Sequence, residues 1–255
     1  MNRAAKLLLR IAAGLTAFAL IGALLYVTNA FVGNPVSAMM ADRAIRQYVD
    51  QHYSSLHLET DKVKYNFKDG TYWATARSTT SIDTKFRIYY RNGKVIRDDY
   101  EGDVLGKFNT LERLSLEYSR LAQNIVADEL GYENRTMVTY DMDAAENAAD
   151  WLELDMKFDQ SLPLKAEVTL RLELGDTSLA NIAQIFTDAH RAFVEHDCHF
   201  HQYGLYSEHD GKDVMVHGVT PADIESGDLV RLLEEAQNND REGGIRVRIK
   251  TPKTG

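Results

Sequence analysis

The chain is poor in the residues that staple, break or chemically arm a protein. One cysteine, Cys198, excludes an intramolecular disulfide and every zinc or redox site built on a Cys-x-x-Cys pair. Only four prolines, with 44% hydrophobic and 26% charged residues, exclude a disordered or fibrous chain and leave a folded globular one. No G-x-S-x-G elbow, phosphate-binding loop or G-x-G-x-x-G turn occurs, so hydrolase, NTPase and dinucleotide-binding readings lose their usual signatures and no cofactor is expected. Positive charge is the scarcer sign, 29 Lys and Arg against 38 Asp and Glu, a net charge of -9 that argues against nucleic acid as a partner.

Charge of either sign is absent from Ile11 to Val32. As a helix, those 22 residues rise roughly 33 Å, enough to cross a hydrocarbon core. Arg3, Lys6 and Arg10 all precede the run, so the positive-inside rule keeps the N-terminus in the cytoplasm and sends the rest outward. The competing reading is a cleaved signal peptide, with Thr28-Asn29-Ala30 or Val36-Ser37-Ala38 as the cleavage site; the length of the run favours retention. Without its three N-terminal cations the remainder is more acidic still. Such an ectodomain is repelled by anionic lipid and is not expected to lie on the membrane.

Beyond the Asn34-Pro35 break, Ala41, Ala44, Ile45, Tyr48 and Val49 recur at helical spacing. Asp69-Gly70 then suits a two-residue hairpin turn that pairs Phe67 with Tyr72 and Tyr65 with Ala74, and puts Lys64 and Asn66 on the face of Trp73. A second hairpin about Asn92-Gly93 pairs Tyr90 with Val95, Tyr89 with Ile96 and Arg87 with Asp98. Asn109 and Glu112 read as a capping pair for a helix of Leu111, Leu114, Tyr118, Leu121 and Ile125 that ends near Gly131. The second half offers strand-like runs 137–142, 152–158 and 165–174, a helix opened by Thr177 or Ser178, a hairpin at Asp210-Gly211, a helix from Thr220-Pro221 to about Gln237, and a last strand 245–249. The expected fold is α+β: residues 1–33 as cytoplasmic tail and transmembrane signal-anchor, then units 34–131 and 132–255, each an antiparallel sheet with packed helices.

Taken together, the anchor exiting at Asn34-Pro35, the run Tyr65-Asn66-Phe67-Lys68-Asp69-Gly70-Thr71-Tyr72, the Ser81-Ile82-Asp83 step and Lys107-Phe108-Asn109-Thr110 before a long helix resemble the YfjL-like membrane-anchored proteins. The resemblance covers residues 31–127 well and the C-terminal half diffusely, and it brings no catalytic residues with it. A helix followed by a hairpin sheet also looks like the PepSY or cystatin-like class, whose members often bind or inhibit partners.

Six of the eight histidines fall within residues 190–217, around Cys198. An extended segment there would put His199 and His201 on one face, with His196 near, as ligands for zinc or copper or as a pH-sensing patch. The opposing reading is surface histidines beside a buried thiol, and neither H-E-x-x-H nor H-x-x-E-H is present. Cys198 beside His196 or His199 would alternatively be a nucleophile. Asp141 and Asp143 open a calcium-loop pattern, but Ala145, Glu146 and Leu152 stand where an EF-hand needs an oxygen ligand, glycine and glutamate. Asn134-Arg135-Thr136 matches a glycosylation acceptor. Trp73, on the wetter face of its hairpin, is the candidate partner contact. These features point to a membrane-anchored extracytoplasmic binding module for another membrane or extracytoplasmic protein rather than an enzyme. The alternatives are a metal or pH sensor in segment 190–217, and an extracytoplasmic hydrolase without a recognised signature.

Overall fold

The computed structural model describes residues 3–141, 152–209, 211–238 and 244–250. Helix α1 (Arg3–Val32) leaves every side chain from Arg10 to Val32 exposed, and it is long and apolar enough to cross a membrane. It stops at Gly33, whose φ of +79° a side chain would strain. Asn34 then caps α2 (Pro35–His52) by accepting from Val36 N at 2.8 Å, with Pro35 in the first turn where its missing N–H costs nothing.

Two compact units follow the division Met1–Gly106 and Lys107–Gly255. In the first, β1 (Leu58–Thr60), β2 (Lys64–Asn66), β3 (Thr71–Ser78), β4 (Lys85–Arg91) and β5 (Lys94–Asp98) form an antiparallel sheet in which β1 and β2 both pair with β3, followed by β4 and β5. Helix α2 packs on one face, burying Ala41, Ile45 and Val49 against Ala74, Ala76, Phe86 and Ile88. Apolar residues at alternate strand positions supply that face, as the strand period of two requires. Asp98 closes the edge: its carboxylate accepts from Tyr48 at 2.6 Å, Tyr53 at 3.0 Å and the backbone N–H of Tyr100 at 3.0 Å.

Both hairpin registers differ from those expected. Only Gly70 of the first turn has positive φ, so a two-residue turn is not made; Phe67 to Gly70 form a longer loop in which Gly70 N donates to Asn66 O and Asp69 accepts from Thr71 N and Oγ1. Tyr65 therefore faces Tyr72 and Lys64 faces Trp73, a shift of two that preserves which side chains share a face. The second turn is as expected at Asn92-Gly93 and Tyr90 faces Val95, but a bulge between Tyr89 and Tyr90 sets Tyr89 opposite Arg97 and Ile88 opposite Asp98, leaving Ile96 exposed.

In the second unit α3 (Phe108–Leu130) starts one residue before Asn109, from a left-handed Lys107 with no side-chain cap, and ends at left-handed Gly131. The sequence alone places this helix in the first unit, whereas it packs on β6 (Met137–Tyr140) and on α4 (Leu179–Glu195). With β7 (Ala166–Arg171), β8 (Gln202–His209), β9 (Lys212–Val219) and β10 (Arg246–Lys250), β6 forms a sheet in the order β10-β9-β8-β7-β6. It is mixed rather than antiparallel, because α4 carries the chain across so that β8 runs parallel to β7. Residues 152–158 are not a strand, with Asp155 left-handed at φ +62°. The helix expected after Thr220-Pro221 is split at Gly227 (φ +77°) into α5 (Pro221–Glu225) and α6 (Leu229–Asn238).

The structure ties α1 to the first sheet. The Tyr65 hydroxyl donates to Ala30 O at 3.1 Å, Asn34 N donates to the Tyr72 hydroxyl at 2.8 Å, and a Cβ at Gly33 would lie 2.7 Å from the Tyr65 ring. Gly33→Ala is expected to destabilise the protein by about 1–3 kcal/mol, seen as a lower Tm in detergent, while Gly14→Ala, with open space around its Cβ, leaves Tm unchanged or raised. Burial and then Asp98 push Tyr48 up to about 12. Its contribution to stability is therefore complete below the ordinary tyrosine value near 10 and lost as pH rises through 12, and Tyr48→Phe should flatten that alkaline loss in melting curves.

Candidate functional site

The solvent-facing side of the first sheet carries a cross-strand row, Lys64, Trp73, Tyr89 and Arg97, one residue from each of β2, β3, β4 and β5 in direct register. Lys64 Nζ and Arg87 Cζ each lie 5.0 Å from the Trp73 ring centre, and Arg97 Cζ lies 3.7 Å from that of Tyr89. The Tyr89 hydroxyl donates to Asp99 at 2.9 Å, and Asp99 also pairs with Arg97. Arg77 on the same face is paired with Asp61 at 3.1 Å, whereas Lys64 and Arg87 make no ion pair among the described residues. A chain with a net charge of -9 thus presents one cationic and aromatic face. Such a face attracts carboxylates electrostatically, and guanidinium groups stacked on rings are oriented to receive them. Trp73 is where the sequence places it. Tyr89 and Arg97 were missed as a pair because the bulge that aligns them leaves no mark in the alternation.

The histidine segment is not brought together. His190 Nδ1 meets the Tyr203 hydroxyl at 2.8 Å and its Nε2 meets Glu225 at 3.2 Å, joining α4 to β8 and α5. His196 turns to Glu129 of α3 at 3.2 Å, His201 Nδ1 meets the backbone carbonyl of Ala166 at 2.8 Å, and His199 is exposed. Among the described residues no group of three or more His, Cys, Asp or Glu could hold a metal ion, so the ligand set His196, His199 and His201 is not assembled. The left-handed backbone at Asp197 (φ +57°) separates His196 from the other two, and β8 begins only at Gln202, after all three. The acidic positions Asp143, Glu146 and Asp150 lie outside the described residues. Asn134 uses its amide nitrogen on Gln123 O and Tyr132 O, at 3.0 and 3.2 Å, and so is occupied as a fold contact rather than presented as a sugar acceptor.

An open groove of about 600 Å³ runs along Arg135, Arg171, Tyr206, Glu208 and His209, with charges of both signs, and in it the Tyr206 hydroxyl donates to Glu208 at 3.0 Å. Cys198 is fully buried; burial raises its thiol above the ordinary value, and its sulfur faces His196 O at 3.5 Å rather than an imidazole. The native thiol is accordingly expected to react with a bulky disulfide reagent more than about tenfold slower than in denaturant, which a stopped-flow absorbance trace in both conditions measures; equal rates would restore Cys198 as an accessible nucleophile.

Residues 8–99 match the model of the YfjL-like N-terminal domain and residues 117–234 that of the YfjL-like C-terminal domain. No curated relative and no solved structure matches the chain. The two domain matches, adjacent and in order over most of its length, establish that the chain belongs to the YfjL-like family.

Proposed function

We propose that the chain is a membrane-anchored, extracytoplasmic binding module that uses the outer face of its first sheet to hold an acidic segment of a partner protein. Helix α1 crosses the membrane with the N-terminus in the cytoplasm, in keeping with the cations upstream of its apolar run. The observation that carries the reading is the Lys64, Trp73, Tyr89, Arg97 row: four strands contribute one side chain each to a flat cationic and aromatic strip that the helix on the opposite face leaves uncovered. Rigid strands hold these groups with little rotamer freedom left to lose on binding. Cations over aromatic rings recognise anionic groups, but they supply neither nucleophile nor general base, which favours binding over catalysis.

The test uses the full chain in neutral detergent micelles and a fluorescent poly-glutamate peptide read by anisotropy. Binding is expected to weaken with salt. The double variant Lys64→Gln, Arg87→Gln is expected to bind about tenfold more weakly, the equivalent of about 1.4 kcal/mol, and the control Lys212→Gln, in β9 of the other unit, as the wild type does. No binding, or equal binding by both variants, would overturn the reading.

A further inference from the structure

We infer that the end of the first sheet nearest α1 is a lipid-binding foot, seated in the headgroup region of the bilayer with Phe67 at its centre. The inference rests on the reading that α1 crosses a membrane, and adds how the first unit meets that membrane.

The uncharged run of α1 ends at Val32, so a helix whose apolar length of roughly 33 Å matches the hydrocarbon core leaves it at that residue. At the same level the loop between β2 and β3 is docked on the helix end: Tyr65 and Tyr72 hold Ala30 and Asn34 by hydrogen bonds, and the rings of Phe31 and Phe67 lie 5.9 Å apart. Phe67 is 55% exposed in that loop and Phe31 64% exposed on the helix, so an exposed ring of the loop lies beside an exposed ring at the end of α1. A phenyl ring held at the exit of an apolar helix is placed to bury at the boundary between headgroups and acyl chains. Water would meet the exposed half of that phenyl group, whereas the acyl boundary would cover it.

Strand register brings the charges. Tyr72 faces Tyr90, so the turn joining β4 to β5 lies at the same end of the sheet as Phe67. Lys68, Arg91 and Lys94 from the two turns are exposed there, with no ion pair among the described residues. Asp69 is the acid among them; it is close to Arg91, but its carboxylate is committed first to Thr71. This end is therefore basic although the chain as a whole is acidic, and juxtamembrane cations of this kind are drawn to anionic headgroups. The loop at the other end of β3 and β4 stands about 25 Å away along an eight-residue strand. Ile82 in that loop is 67% exposed and is the matching apolar residue without a membrane beside it.

The experiment is site-directed spin labelling of the full chain in nanodiscs of phosphatidylcholine with and without phosphatidylglycerol, in a Cys198→Ala background. Labels are placed by Phe67→Cys, Ile82→Cys and Ile21→Cys, each variant being accepted only if it melts as the background does. Collision with lipid-soluble oxygen is compared with collision with a water-soluble nickel chelate. The label at 67 is expected to meet the chelate several-fold less often than the label at 82, and less often still with phosphatidylglycerol present, while the label at 21 is the most protected of the three. A label at 67 as accessible as that at 82, with 21 protected, overturns the foot and leaves the membrane crossing standing. A label at 21 open to the chelate overturns the crossing, and the foot with it. Protection at 67 that is indifferent to phosphatidylglycerol removes the role of Lys68, Arg91 and Lys94.

Discussion

Gly33 is the constraint on which the first unit turns. A side chain at that position would collide with the Tyr65 ring and be strained by the left-handed backbone, so glycine suits the place where the apolar helix ends and the tyrosines close over it. Because Tyr65 and Tyr72 belong to facing strands and share one cross-strand pair, gripping the helix end also orients the sheet behind them. The orientation is carried by two hydroxyl bonds and ring contact, short-range interactions that specify direction as well as affinity. Asp98 does the corresponding work at the far edge, where one carboxylate receives two tyrosine hydroxyls and an N–H and so ties α2 to the last strand.

One consequence is an unequal sheet. The α2 face is closed by Ala41, Ile45 and Val49, and the other face keeps its cations and rings in water. A net charge counted over the whole chain misses this, since an overall excess of 38 acids over 29 bases conceals the lysines and arginines that strand pairing gathers on one side and at one end. The proposed binding strip and the proposed lipid foot both follow from that segregation: one looks sideways from the sheet, the other along its strands.

The second unit spends its conspicuous residues on structure. His190 links three elements through Tyr203 and Glu225, His201 pairs with a strand carbonyl, and Cys198 lies under the surface. A local density of histidine in the sequence was no guide to a shared site, because His190, His196 and His201 are each taken by a different partner. Its main core, by contrast, is written in the residues: Leu111, Leu114, Tyr118 and Ile125 on α3, and Ile182, Phe186 and Phe193 on α4, form the stripes their spacing predicts and are buried.

What the sequence determined by itself is therefore what depends on neighbours along the chain. The apolar length of α1, the break at Asn34-Pro35, the stripes of α2, α3 and α4, the glycine-bearing turns and the wet face of Trp73 all follow from period and local backbone preference. Tertiary structure alone decided what depends on distant residues. A four-residue loop moved the first register by two, and a bulge put Arg97 beside Tyr89. The crossover through α4 made β8 parallel to β7, and α3 found its partners in β6 and α4. Side-chain alternation survives a shift of two and does not encode strand direction, so these features could be settled only by which surfaces pack best once the whole chain is present.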